Sequence, residues 1–368
     1  MKERVRICRI YHKKHRRMPM VCQKIQHEDQ PLIDFGDNME TTDATRRFFC
    51  LRLGAAAVGT ALNSAHAALP VGYPAKPIRI VVPFPAGQGA DASARALARE
   101  LEAVLGQPLI IENRPGGNNV IGVKAVTNAA ADGYTLFYGT NSPMAANAVF
   151  FRDLGYDPVK DFTPVAMFGR SRWVVVVSAE SPIRSFADLV EASKRQTGGV
   201  SFAVGATGYQ LAVILLANSS GLVANIVPYK GTPQAITDVI GQQVTATMSD
   251  FGTMRALIEA GKVRPILAFA DRRIAAIPGV PSLKDLKLDI PTLFSWTALF
   301  AAAGTSSDIV NHLAEATSKA LQSPAYKEYS AKNNSEIVFA GPAELAKFQR
   351  QEVENYRHAM KVGNVEPQ

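Results

Sequence analysis

The feature that most constrains this chain is a repeated alternation of β-branched runs and helix-periodic segments, joined by turns of small and polar residues. Residues 78–84 (IRIVVPF) form a nearly continuous apolar run, which reads as a strand buried on both faces. Gly89–Leu105 follows, with Ala94, Leu97, Ala98, Leu101, Val104 and Leu105 at helical spacing. A strand over 109–112, a helix over 119–130 and a strand over 135–138 continue the series. A second series opens with a strand over 173–177. Its first helix, 185–196, has Ser185 as N-cap and Asp188 at the third helical position, a capping-box pattern. Strands over Val200–Val204, 225–227, 244–248 and 265–269 then alternate with helices over 208–219, 233–240 and 253–260. Residues 306–360 read as mostly helical. Such alternation predicts α/β lobes with parallel sheets and helices on both faces.

Two series imply two lobes, the first over residues 68–170 plus 298–368 and the second over 171–297. Residues 295–300 (SWTALF) read as a strand returning the chain to the first lobe. The chain then crosses between lobes twice, near 167–173 and 294–299, and two crossings make a hinge with a cleft.

In parallel α/β sheets ligands bind beyond the carboxyl ends of strands, where the next helix offers unpaired N–H groups and a positive dipole end. Five strand-to-helix turns here are small and polar. From the first lobe come Phe84, Ala86, Gly87, Gln88, Gly89 and Asp91, and then Thr140, Asn141 and Ser142. From the second come Val204, Gly205, Thr207, Gly208, Tyr209 and Gln210, then Tyr229, Lys230 and Gly231, and finally Asp250. These are the candidate ligand-binding residues. Asp91 repels an anion, so its expected role is to orient the first turn by bonding backbone N–H groups or a water. The first turn lacks the GK[ST] ending of a P-loop and the third glycine of GxGxxG. Taken singly, Phe84, Tyr209 and Tyr229 are better accounted for by core packing than by ligand contact.

Composition removes other classes. The chain has 368 residues and a formal charge of +8, but residues 1–67 hold 12 of the 40 basic and 7 of the 32 acidic side chains. The remainder is close to neutral, which argues against nucleic-acid binding. All three cysteines (Cys8, Cys22, Cys50) fall in the same stretch, so the body has no thiol nucleophile, thiolate metal site or disulfide. Only His312 and His358 remain there, and both read as surface residues. No catalytic residue, metal or cofactor is expected.

Residues 1–67 read as an export leader. Arg46-Arg47-Phe48-Phe49 precedes an apolar segment of about ten residues, too short to span a bilayer, and Ala65-His66-Ala67 supplies a cleavage site. Met39 is the expected start. The paired arginines are compatible with twin-arginine export, and a Sec signal accounts for them equally well. No later segment is apolar enough to anchor the processed chain.

Several stretches, in order, resemble the Bug (TctC-like) family, the extracytoplasmic solute receptors of tripartite tricarboxylate transport. They are residues 73–79 (YPAKPIR), 83–91 (PFPAGQGAD), 112–117 (ENRPGG), 132–136 (DGYTL), 156–164 (YDPVKDFTP), 227–231 (VPYKG), and Arg273 followed by 278–281 (PGVP). The resemblance implies a two-lobed periplasmic binding protein of type II, a Venus flytrap, each lobe a sheet flanked by helices. It implies a small carboxylate ligand, periplasmic location, a monomeric state and delivery to a tripartite tricarboxylate-type membrane permease. The same fold and site also suit a ligand-sensing partner of a membrane sensor kinase. A two-lobed α/β enzyme is disfavoured by the missing nucleotide motifs. Gln88, Ala90, Arg172, Trp173 and Gln210 depart from the family's usual residues and bear on which solute binds.

Overall fold

The computed structural model describes Pro70 and residues 72–368. The leader, with its paired arginines, cysteines and cleavage site, lies outside the described residues. The first sheet collects β1 (Ile78–Val82), β2 (Leu109–Asn113), β3 (Thr135–Thr140), β4 (Phe162–Ser171), β10 (Ser295–Ala302) and β11 (Glu336–Ala340), in the order β11-β4-β10-β3-β1-β2. The second collects β5 (Trp173–Ser178), β6 (Val200–Val204), β7 (Ala224–Pro228), β8 (Ala246–Asp250) and β9 (Val263–Phe269), in the order β7-β6-β8-β5-β9.

Neither sheet is purely parallel, which corrects the simple reading of the alternation. β1, β2 and β3 are parallel, as are β6, β7 and β8, because each is tied to the next by a helical crossover. β5 runs against β8 and β9, and β10 runs against β3 and β4. Both are the strands by which the chain arrives from the other sheet, so no local crossover fixes their direction. Only Arg172 separates β4 from β5. β10 joins the first sheet from its first residue, with Ser295 opposite Ser171.

Helices cover the sheets. α1 (Gly89–Leu105) buries Ala94, Leu97, Ala98 and Leu101 and ends at Gly106 in the left-handed conformation. α2 (Val120–Thr127) starts after a turn in which Asn118 and Asn119 have φ of 51° and 78°. A π turn (Ser142–Ala146) leads into α3 (Asn147–Phe150). α4 (Phe186–Arg195) carries the complete Ser185/Asp188 capping box. α5 (Thr207–Ser220), α6 (Thr232–Ile240) and α7 (Phe251–Glu259) follow the three parallel strands of the second sheet. α8 (Ser307–Ala320), α9 (Pro324–Lys332) and α10 (Pro342–Val362) complete the chain.

One apolar cluster runs through both halves. It joins Val81, Phe137 and Phe300 of the first sheet to Val175, Phe202 and Met248 of the second, with Leu345 and Tyr356 of α10. Asn218 Nδ2 of α5 donates to Gly363 O just beyond α10 at 2.7 Å. The C-terminal helix therefore touches both lobes. No helix among the described residues is long and apolar enough to cross a membrane.

Candidate functional site

The turn between β1 and α1 is held by Asp91. Its Oδ2 accepts from the Gly87 N–H at 3.0 Å, and its Oδ1 accepts from Arg95 Nε and Asn113 Nδ2, each at 3.0 Å. Burial works against the ionised carboxyl, but these donors, Arg95 foremost, outweigh it and hold Asp91 below the ordinary carboxylate range. With Asp91 so occupied, the N–H groups at the start of α1 remain without partners inside the helix.

Three glycines bring the halves together. A Cβ on Gly89 would overlap Thr253 Oγ1 of α7, and one on Gly208 would overlap Asn141 Nδ2. One on Gly231 would lie 2.8 Å from Pro85 Cγ and 3.0 Å from Gln88 Oε1. Hydrogen bonds accompany the contacts. The Gly208 N–H donates to Ser142 Oγ at 3.3 Å, and the Thr232 N–H donates to Gln88 Oε1 at 3.4 Å. Asn141 Nδ2 donates to the buried Tyr356 hydroxyl at 2.8 Å. At the hinge, Trp173 Nε1 of β5 donates to Ser295 Oγ of β10 at 2.8 Å.

Two cavities are lined by residues of both lobes. The first, about 240 Å³, lies between Gly87–Ala90 at the start of α1 and Asp250–Thr253 at the start of α7, with Arg170, Ser171, Ser295 and Thr297 of the hinge strands on its wall. The second, about 280 Å³, lies between Asn118–Asn119 and Gly205–Thr207. Of the residues singled out from sequence, Gly87, Gly89, Thr140 and Asp250 line the first. Phe84, Val204, Gly205, Thr207, Gln210, Tyr229 and Lys230 line the second. Asn141, Ser142, Gly208, Gln88 and Gly231 form the contacts between lobes, Asp91 holds its turn, and Tyr209 is buried against Trp173 with ring centroids 4.9 Å apart. Ala86 is exposed and lines neither cavity. Sequence reasoning missed Tyr138, Arg170, Thr253, Thr297 and Tyr329 in the first cavity and Asn118 and Asn119 in the second. The ENRPGGNN stretch, dense in glycine and asparagine, was a usable signal for the last two.

The first cavity concentrates unmet polar groups. Ten buried side-chain polar atoms lack a hydrogen-bond partner among the described residues, and five line it: Tyr138 OH, Thr140 Oγ1, Arg170 Nε, Asp250 Oδ1 and Thr253 Oγ1. Buried polar groups are ordinarily bonded, so orphans gathered in one place mark a space for a polar occupant. Asp250 Oδ2 accepts from Tyr209 OH at 3.0 Å. Burial pushes the Asp250 carboxyl above its ordinary value, and burial with the Asp250 charge pushes the Tyr209 hydroxyl up. The second cavity differs in charge, since Lys230 is exposed there and forms no ion pair among the described residues. No cluster of acidic, histidine or cysteine side chains suited to a metal occurs among the described residues.

Two α/β lobes joined by two adjacent hinge strands, with helix N-termini and unmet polar groups facing across a cleft, define a periplasmic-type solute-binding protein. Residues 93–364 match the tripartite tricarboxylate transporter family receptor (TctC) model, and the chain belongs to that family. Protein BugT of Bordetella pertussis is 33% identical over 307 residues, covering 82% of this chain and 94% of that protein. The structure of the periplasmic binding protein BugD superposes with a TM-score of 0.76 at 26% identity, covering 80% of this chain and 100% of that one. That of R. palustris Rpa4515 with adipate superposes at 0.77 with 27% identity and the same coverages. These relatives bear out the Bug resemblance, and the family is one of solute receptors, not enzymes.

Proposed function

We propose that this receptor captures a small carboxylate in the first cavity and delivers it to a tripartite tricarboxylate-type membrane permease from the periplasm. The observation that carries the reading is a set of four unpaired buried groups able to donate, Tyr138 OH, Thr140 Oγ1, Arg170 Nε and Thr253 Oγ1, in a cavity also lined by Gly89 and Ala90 at the start of α1. A carboxylate there accepts charge-assisted bonds, each net about 1.5–3 kcal/mol. Adipate in the Rpa4515 structure supports the ligand class. The lobes, residues 68–170 with 298–368 and residues 171–297, close on the ligand by rotation about the β4–β5 and β10 strands. The ligand favours closure only through its higher affinity for the closed form. Export removes the leader after Ala67, and intact mass of periplasmic protein checks this by the absence of Cys50.

A thermal-shift screen of mono-, di- and tricarboxylates tests the reading. Ligand at about 1,000 times Kd should stabilise the protein by about 4 kcal/mol. Ala90→Asp is the matching variant. An acidic residue in the first turn suits the α1 dipole, so folding survives, while its charge occupies the cavity. A normal carboxylate response in Ala90→Asp, or a response only to neutral or cationic compounds, refutes the anion site.

A further inference from the structure

A third cavity, about 310 Å³, lies beside the hinge and is larger than either cavity above. Three guanidinium groups line it: Arg170 near the end of β4, Arg172 in the one-residue link to β5, and Arg272 beyond β9. Asp271 and Glu336 are the acidic members of its wall. None of the five turns that open the cleft contributes to it. The sequence reading gave Arg172 a part in choosing the cleft solute. The structure corrects this, because Arg172 lines the hinge cavity and neither cleft cavity.

The charges around this cavity are unevenly matched. Glu336 is already engaged, its Oε2 lying 3.2 Å from Arg170 Nη2. The Phe294 ring lies against the same guanidinium, with its centroid 5.7 Å from Arg170 Cζ, and helps to hold it in place. Arg172 and Arg272 form no ion pair and no side-chain hydrogen bond among the described residues. Both are nevertheless carried on anchored backbone. The Phe251 N–H donates to Arg172 O at 2.9 Å, and the residue after Arg272, Arg273, is pinned by Asp285 at 2.8 Å. Asp271 offsets only one of the two remaining cations, so the wall keeps an excess of positive charge. Like charges lining one cavity repel, and an anion between them relieves this. The planar fork of a guanidinium matches the paired oxygens of a phosphate or carboxylate, whereas chloride offers no such pair.

We propose that the hinge cavity is an accessory site for a small multivalent oxyanion, a phosphate or a polycarboxylate, held by Arg172 and Arg272 of the second lobe against Arg170 of the first. Since both lobes supply its wall, the bound ion braces them in the arrangement described, through its higher affinity for that arrangement. The site is separate from the cleft and does not depend on what the cleft binds.

Calorimetry on the full processed protein at constant ionic strength tests this, with inorganic phosphate as one probe and citrate as the other. Citrate is titrated into Ala90→Asp, so that the cleft does not contribute. Binding of phosphate marks an inorganic ligand, and binding of citrate alone an organic one. Arg172→Gln and Arg272→Gln should each weaken the binding probe about tenfold. Asp271→Asn should tighten it about threefold, a gain that damage to the fold would not produce. Small-angle scattering should show compaction on adding the probe to wild type, and none in Arg172→Gln. No saturable binding of either probe up to about 10 mM overturns the proposal. So does phosphate binding that is lost in Ala90→Asp and kept in Arg172→Gln, which places the ion in the cleft. Binding without compaction overturns the bracing role and leaves an adventitious ion only. Arg272 is exposed, so Arg272→Gln keeps the test in place if Arg172→Gln folds poorly.

Discussion

Replacing Gly208 by alanine separates cleft closure from folding. Gly208 lies in the first turn of α5, where alanine is the better helix former by about 1 kcal/mol. With the lobes apart, the substitution is neutral or mildly stabilising. With the lobes together, the new methyl overlaps Asn141 Nδ2 and lies 3.2 Å from Tyr356 OH and 3.3 Å from Trp173 Cη2. Either Asn141 moves and leaves the fully buried Tyr356 hydroxyl without its 2.8 Å partner, or the lobes stay ajar. Overpacking of this kind costs about 1–3 kcal/mol, as does a buried polar group left unpaired. About 2 kcal/mol charged only to the closed form lowers ligand affinity about 30-fold, because every 1.4 kcal/mol is tenfold. Titration calorimetry reads the affinity, small-angle scattering reads compaction at saturating ligand, and thermal melting reads the unliganded fold. An affinity within about threefold of wild type would mean that ligand binding does not need this contact.

The remaining predictions concern three aspartates. Asp91→Ala removes the acceptor for Gly87, Arg95 and Asn113, and should cost about 2 kcal/mol in denaturant unfolding and weaken ligand binding as well. A loss below about 0.5 kcal/mol would show that the turn is held by other means. Asp285 is bonded by the Ser282 N–H, Arg273 and the Ser282 hydroxyl, which hold its carboxyl down at about 2. The native state thus binds that proton less tightly than the unfolded chain, so the stability it contributes is present above about pH 4 and lost as pH falls through about 2. Asp285→Asn should destabilise at neutral pH and flatten that part of the acid limb; an unchanged limb contradicts the assignment. Asp250 has the opposite sign. Burial raises its folded value, so ligand-free stability falls as pH rises above the ordinary carboxylate range. Unliganded Asp250→Asn should therefore melt higher than wild type at pH 7, and a lower melting point there counts against burial as the cause.

Local pattern alone determined most elements. α1 was legible to the residue because an apolar stripe, a preceding small turn and Gly106 all mark the same bounds. α4 was legible through its Ser185/Asp188 box, and β6 because its β-branched run ends in glycine. β4 was missed: Pro164 and Gly169 interrupt its apolar run, so no continuous strand pattern marks it. In the sheet Pro164 lies opposite Phe300, beside a register shift between Leu299 and Phe300, where a missing N–H is tolerated. β11 was missed because it is a half-exposed edge strand with no apolar alternation.

The candidate turns were legible because small polar residues after a strand are a local signal. Their division between two cavities was not, nor was the role of Gly89, Gly208 and Gly231 in bringing the lobes together. That division depends on residues far apart in the chain, such as Asn141 and Tyr356, or Gln88 and Thr232. Asp250 is the clearest case. In sequence it is an ordinary aspartate at a helix start, and only the tertiary structure turns its carboxylate away from the helix toward Tyr209 and the cavity. Sequence records backbone preference residue by residue, whereas a side chain's hydrogen-bond partner is decided by which distant group the fold brings within reach.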